Sequence, residues 1–104
     1  IHIDSRQNKQ VDLFFFFFST SEASKKLALN LHQSIKSKYQ IYRKNGRYQG
    51  SVSTRNLHML RECKPIGIYL ELGNIRHPLD QQRIVLESNR EALAKWLFDG
   101  LAGQ

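Results

Sequence analysis

A single cysteine, Cys63, is all the thiol chemistry the chain carries. An intramolecular disulfide is excluded, and so is a zinc site built from several cysteines. No apolar run approaches the roughly 20 residues that a membrane-spanning helix needs. The densest run, Val11 to Phe18, is broken by Asp12 and is strand-sized. No signal peptide is recognisable, and low cysteine content does not fix the compartment. Phosphate-cradling loops of the GxxxxGK(S/T) or GxGxxG kind are missing, and the segment from Ser19 to Ser24 holds no GxSxG elbow. No histidine pair has HExxH spacing. There is no internal repeat, no interdomain linker and no low-complexity stretch beyond a run of phenylalanines. What remains, at 104 residues with 40% hydrophobic and 24% charged, is one soluble globular domain with a modest core. The chain begins at Ile1 rather than Met and reads as a processed or truncated piece.

The charge is lopsided. The chain carries 16 Lys+Arg against 9 Asp+Glu, a formal +7. Residues 36–64 account for the excess, with eight Lys/Arg against the lone acid Glu62. They include Lys36, Lys38, Arg43, Lys44, Arg47, Arg55, Arg61 and Lys64, interleaved with Tyr39, Tyr42 and Tyr48. Such a stretch suits a polyanion, whether nucleic acid, membrane surface or another polymer. It equally suits a solvated loop whose tyrosines pack on the core, and no nucleic-acid fold motif accompanies it.

Ile1 to Asp4 reads as a strand end, and Val11 to Phe18 as a strand buried on both faces. Ser19 and Glu22 have capping-box spacing, predicting a helix to about Lys38 with Leu27, Ala28, Leu31 and Ile35 as its apolar stripe. Residues 40–53 read as a polar excursion with a short strand near Ile41-Tyr42. Thr54 to Glu62 reads as a short helix, with Leu57, Leu60 and His58 turned inward. The next strand is Ile66 to Leu72, ended by a Gly73-Asn74 turn. A short helix over residues 79–86 follows. Ser88 and Glu91 repeat the capping-box spacing and open a last helix with Leu93, Trp96, Leu97 and Leu101 on one side. Strands alternating with amphipathic helices predict an α/β fold, a mostly parallel sheet flanked by helices on both faces and truncated at its N-terminus.

Two residues stand out chemically. His2 lies at a strand end beside Asp4, and Glu71 is the one acid of an otherwise apolar strand. Sites of parallel α/β sheets form outside the carboxyl ends of their strands, and both residues read as lying there. A buried carboxylate needs a partner, a cation or a metal. A strand-edge acid paired with Arg or Lys, and a frayed terminal histidine, are the plain alternatives. His32, His58 and His77 read as structural or exposed, and Cys63 as inert.

The order of segments resembles the C-terminal part of the zinc-dependent N-acetylmuramoyl-L-alanine amidases of the amidase-3 type. Ile1-His2-Ile3-Asp4-Ser5 is similar to the family's "SIHAD" strand end. Ser21-Glu22-Ala23-Ser24 with Leu27-Ala28 resembles its "SE..S..LA" helix, and Arg55 to Arg61 its "R...l.VLR". Pro65 to Gly73 resembles "PavLvElGf". Asn74 stands where Phe is usual, and Arg76-His77 where Ser-Asn is common.

The resemblance implies a peptidoglycan hydrolase of the bacterial cell envelope, periplasmic or extracellular. It would cut the amide between N-acetylmuramic acid and L-alanine of the stem peptide. His2 would be a zinc ligand and Glu71 the catalytic acid/base. The family's other ligands, a histidine in a "DpGHGG"-like motif and a glutamate, are not in this chain, so the isolated chain is expected to be inactive. Arg55 is a candidate for binding anionic wall polymer or stem carboxylates, on charge alone. The expected partner is peptidoglycan, with no nucleic acid, no membrane span, and self-association of the truncated chain. The competing reading is a non-catalytic basic α/β module that binds wall polymer or nucleic acid.

Overall fold

A computed structural model describes residues 1–4, 12–42, 48–62, 66–74 and 76–103. In chain order these form β1 (His2–Asp4), β2 (Phe14–Phe17), α1 (Glu22–Tyr42), β3 (Ser51–Thr54), α2 (His58–Arg61), β4 (Tyr69–Asn74), α3 (Pro78–Val85) and α4 (Glu87–Ala102). The strands make one four-stranded sheet in the order β1-β4-β2-β3. Pairs β1–β4 and β2–β3 are parallel, whereas β2 and β4 run antiparallel. The fold is therefore α/β, flanked by helices, with a mixed sheet of two parallel pairs joined across one antiparallel pair.

Alternation along the strands divides the sheet into two faces. Phe15 pairs with Leu70, while Phe14 pairs with Glu71 and Phe16 with Tyr69. Leu13, Phe15, Phe17 and Leu70 form the apolar core with Ala28, Leu31 and Ile35 of α1 and Leu93 of α4. The opposite face carries Phe14, Phe16, Tyr69 and Glu71. The apolar stripe read for the first helix is thus confirmed at Ala28, Leu31 and Ile35, with Leu27 packed at its margin.

Helices α1 and α4 run antiparallel: Gly100 lies against Leu31 and Ser34, and Trp96 against Tyr39 and Tyr42. A Cβ at Gly100 would sit 3.1 Å from Leu31 Cδ2 and from Ser34 Cβ, so glycine permits this close approach. Ser34 Oγ then donates to the Trp96 carbonyl at 2.7 Å.

Element boundaries depart from the sequence reading in instructive ways. The cap of α1 is Ser21, whose Oγ accepts from the Ser24 amide at 3.2 Å, two residues later than the Ser19 spacing suggests. The helix continues through Ile41-Tyr42, where a short strand was expected, because Tyr42 stacks on Trp96 of α4. The strand of that region is instead β3, Ser-Val-Ser-Thr, whose polar composition hides it. Ser88 lies inside α4, which begins at Glu87 with no side-chain cap. Leu101 and His58 are exposed rather than turned inward. Strand β4 runs through Gly73 and Asn74 instead of turning there. Val11 and Cys63 to Pro65 lie outside the described residues, as do Arg43, Lys44, Arg47 and Lys64 of the basic segment.

The extension of β4 is fastened by a buried ionic cluster. Asp12 and Asp80 are fully buried and Arg83 is 5% exposed. Arg83 Nη2 donates to Asp12 Oδ1 at 2.5 Å and to Asp80 Oδ1 at 2.8 Å. Its Nε donates to the Tyr39 hydroxyl at 2.5 Å and its Nη1 to the Leu72 carbonyl at 2.7 Å. Asp80 also accepts from the amides of Asp12 and Asn74, at 3.1 and 3.0 Å. Asp12 is held at φ +56°, a left-handed conformation that its short polar side chain tolerates. Gly73 has φ +144°, and a Cβ there would meet Arg83 Nη1 at 2.6 Å. Only glycine suits both the backbone and the guanidinium.

Candidate functional site

Strands β1 and β4 bring His2 and Glu71 together. Their Cα atoms are register partners across the parallel ladder, so both residues belong to the sheet face turned away from the α1/α4 layer. The expected position at the strands' carboxyl ends is not what the structure shows. His2 opens β1 and Glu71 is the third of six residues in β4.

Glu71 is 6% exposed. Its Oε1 accepts from Arg55 Nη1 at 3.3 Å, an ion pair in which the arginine side chain keeps 47% exposure. Arg55 follows β3, where its amide donates to the Phe17 carbonyl at 3.1 Å. Its guanidinium lies over the Phe16 ring, 5.1 Å from the centroid, a cation–π contact. The parallel β2–β3 pairing is what delivers Arg55 to Glu71 across β2. Candidate substrate-binding and candidate catalytic residues thus touch.

His2 is exposed and stacks on Tyr69, with ring centroids 4.2 Å apart and planes at 11°. Tyr69 in turn leans on Phe16 at 6.2 Å. A continuous chain of contacts therefore runs His2–Tyr69–Phe16–Arg55–Glu71 along one sheet face. Sequence reasoning missed Tyr69 and Phe16 here. The signal was their spacing: Phe14, Phe16, Tyr69 and Glu71 share a face once the two strands pair. It also missed Arg83, which lies outside any apolar periodicity.

The other histidines do structural work or face solvent. His77 Nδ1 caps α3 by accepting from the Leu79 amide at 3.2 Å. His58 lies 3.2 Å from Arg61 Nη2 in an exposed contact. His32 packs edge-on to Phe15 at 6.0 Å and lies 3.4 Å from the Tyr48 hydroxyl. Burial first, and Lys36 second, push its pKa below the ordinary 6.5, which favours a neutral packing imidazole.

A catalytic zinc takes three protein ligands and leaves a position for water. Among the described residues, no group of three or more His, Cys, Asp or Glu could hold a metal ion. His2 offers one imidazole on the face that carries Glu71, and the described residues by themselves do not complete such a centre. None of the described helices is long and apolar enough to cross a membrane.

Solved structures share this fold. An N-acetylmuramoyl-L-alanine amidase from Clostridium difficile 630 superposes with a TM-score of 0.79 at 22% identity, covering 97% of this chain and 53% of that one. The CwlD amidase of Clostridioides difficile, solved in complex with the GerS lipoprotein, gives 0.77 at 15% identity, covering 99% and 50%. The amidase AmiC2 of Nostoc punctiforme gives 0.75 at 17% identity, covering 97% and 53%. The chain thus spans about half the length of these solved chains. No curated protein matches it in sequence. The sequence pattern of one family, N-acetylmuramoyl-L-alanine amidase (Amidase_3), matches residues 1–103, and the chain belongs to that family.

Proposed function

We propose that this chain is the C-terminal part of a zinc-dependent peptidoglycan amidase that cuts the amide between N-acetylmuramic acid and L-alanine of the stem peptide. The observation that carries the reading is the pairing of His2 with Glu71 on one sheet face, in a chain whose sequence matches the amidase family from end to end. His2 would supply one zinc ligand, with the remaining ligands coming from outside the described residues. The substrate places the protein in the bacterial cell envelope.

Glu71 is the proton carrier. Its carboxylate accepts a proton from the water that attacks the lactyl carbonyl. The water oxygen bonds to that carbon, the C–N bond breaks, and the proton passes to the departing amine of L-alanine. The products are a muramic acid carboxylate and a peptide with a free amino terminus. Arg55 orients the Glu71 carboxylate through the 3.3 Å ion pair and offers its exposed half to carboxylates of the stem. Because the described residues by themselves do not complete the ligand set, the isolated chain is expected to be inactive. The sheet-edge strand β1, with Ile1 81% and Ile3 49% exposed, supports self-association of the chain.

The test is Glu71→Gln in the intact protein that carries this chain, with folding checked by circular dichroism. Hydrolysis of peptidoglycan should fall by roughly 10²- to 10⁴-fold, the usual range for a general acid/base. An unchanged rate in a folded variant removes Glu71 from the chemistry and leaves the basic binding module as the better reading.

A further inference from the structure

The buried ionic cluster lies outside the residues assigned to the reaction, yet it ends one residue from Glu71. Arg83 reaches from α3 to the Leu72 carbonyl at 2.7 Å, and Asp80 of the same helix takes the Asn74 amide at 3.0 Å. These two bonds grip β4 on the C-terminal side of Glu71. The gripping groups are themselves fixed. Asp12, at the entry to β2, holds Arg83 Nη2 at 2.5 Å, accepts the Gln49 amide at 2.6 Å, and donates its own amide to Asp80. Tyr39 of α1 holds Arg83 Nε. Strand β2, which carries Phe16, and the segment leading into β3, which delivers Arg55, are therefore tied through Asp12 to the same guanidinium that grips β4.

Maintaining two carboxylates and a guanidinium away from water is a poor way to gain stability, because desolvation offsets the attraction. Its value lies in specifying one arrangement, and the arrangement specified here is the relative placement of β4 and the β2–β3 pair. We infer that Arg83 is a positioning residue: by fixing the Leu72 carbonyl against Asp12 and Asp80, it sets where Glu71 meets Arg55. The inference rests on the catalytic reading of Glu71 for its meaning, but its geometry can be tested without any activity.

Lysine cannot reproduce the fork. A single ammonium can sit between Asp12 and Asp80, yet it cannot also hold the Leu72 carbonyl and the Tyr39 hydroxyl in Arg83's fixed geometry. In the intact protein that carries this chain, Arg83→Lys should keep the NMR signals of the Phe15 and Trp96 core. It should shift the Arg55 Nε–Hε resonance, and the β4 amides around Glu71 should exchange faster by roughly tenfold or more, as on loss of a hydrogen bond to a charged group. A folded Arg83→Lys in which the Arg55 resonance and β4 exchange are unchanged, with only α3 amides accelerated, overturns the inference. Should that variant fail to fold, exchange of the intact wild-type protein in mild denaturant decides. Amides of β4 near Glu71 and amides of α3 should open together with the same denaturant dependence; independent opening contradicts the coupling. Because Glu71→Gln in the intact protein reads hydrolysis alone, failure of the catalytic reading and failure of this coupling are separate results.

Discussion

Leu70 and Glu71 are neighbours in β4, yet they serve opposite faces of the sheet. Leu70 points into a layer of Phe15, Phe17, Leu31, Ile35 and Leu93, covered by α1 and α4. Glu71 points to a face of Phe16, Tyr69, Arg55 and His2, where Arg55 and His2 remain exposed. The first face is held by area removed from water and tolerates little change in volume. The second is held by specific pairs, a stack, a cation–π contact and an ion pair, each worth little in stability and much in geometry. The strands therefore carry stability on one side and candidate chemistry on the other.

That division can be broken or sharpened by mutation. The largest effect is expected at Phe15, fully buried on the helix-covered face. Phe15→Ala should cost about 3–5 kcal/mol through lost transfer energy and a cavity, whereas Phe14→Ala on the other face should cost clearly less. Urea unfolding midpoints compare the two, and equal losses would erase the distinction between faces. Next, Arg55→Ala should lower stability measurably yet less than Phe15→Ala, because the arginine is half exposed while the Glu71 carboxylate that loses this ion pair is buried. The same substitution should still impair hydrolysis in the intact protein. A loss of stability as large as that of Phe15→Ala would make Arg55 a structural anchor rather than a site residue.

The smallest effect concerns His32, at the edge of the covered face. Its folded pKa lies below 6.5, first through burial and then through Lys36. In the window just below pH 6.5 the unfolded chain therefore binds more protons than the folded one. This contribution to stability is complete above that pH and is lost as the pH falls through the folded value. Thermal melts of the wild type should show this decline, and His32→Gln should flatten it. An unchanged slope in the variant would place the titration elsewhere.

How much of this was legible in the sequence follows the same division. Apolar periodicity marked α1 through Ala28, Leu31 and Ile35, and the phenylalanine run marked β2, because burial against a helix layer writes itself as a repeating pattern. The candidate pair His2 and Glu71 was legible as chemistry out of place, a carboxylate in an apolar strand. Their common face was not, since it depends on the β1–β4 register. Strand β3 was invisible because Ser51, Ser53 and Thr54 are polar and exposed; pairing with β2 fixes it, not composition. The mixed direction of the sheet was equally hidden, as alternating elements suggest parallel strands without specifying the β2–β4 pair. Nothing in the sequence joins Arg83, Asp12 and Asp80, and only their convergence across as many as 71 residues of separation buries them together.

On the proposed reading, Glu71 belongs to an amidase site. The most direct measurement is chemical identification of the new end groups when the intact protein digests purified peptidoglycan. Labelling of free amines should reveal new N-terminal L-alanine and no new reducing sugar, and Glu71→Gln should abolish that signal while its melting temperature stays unchanged. New reducing ends instead would mean that the protein cuts the glycan, and undiminished alanine release by the folded Glu71→Gln variant would remove Glu71 from the reaction.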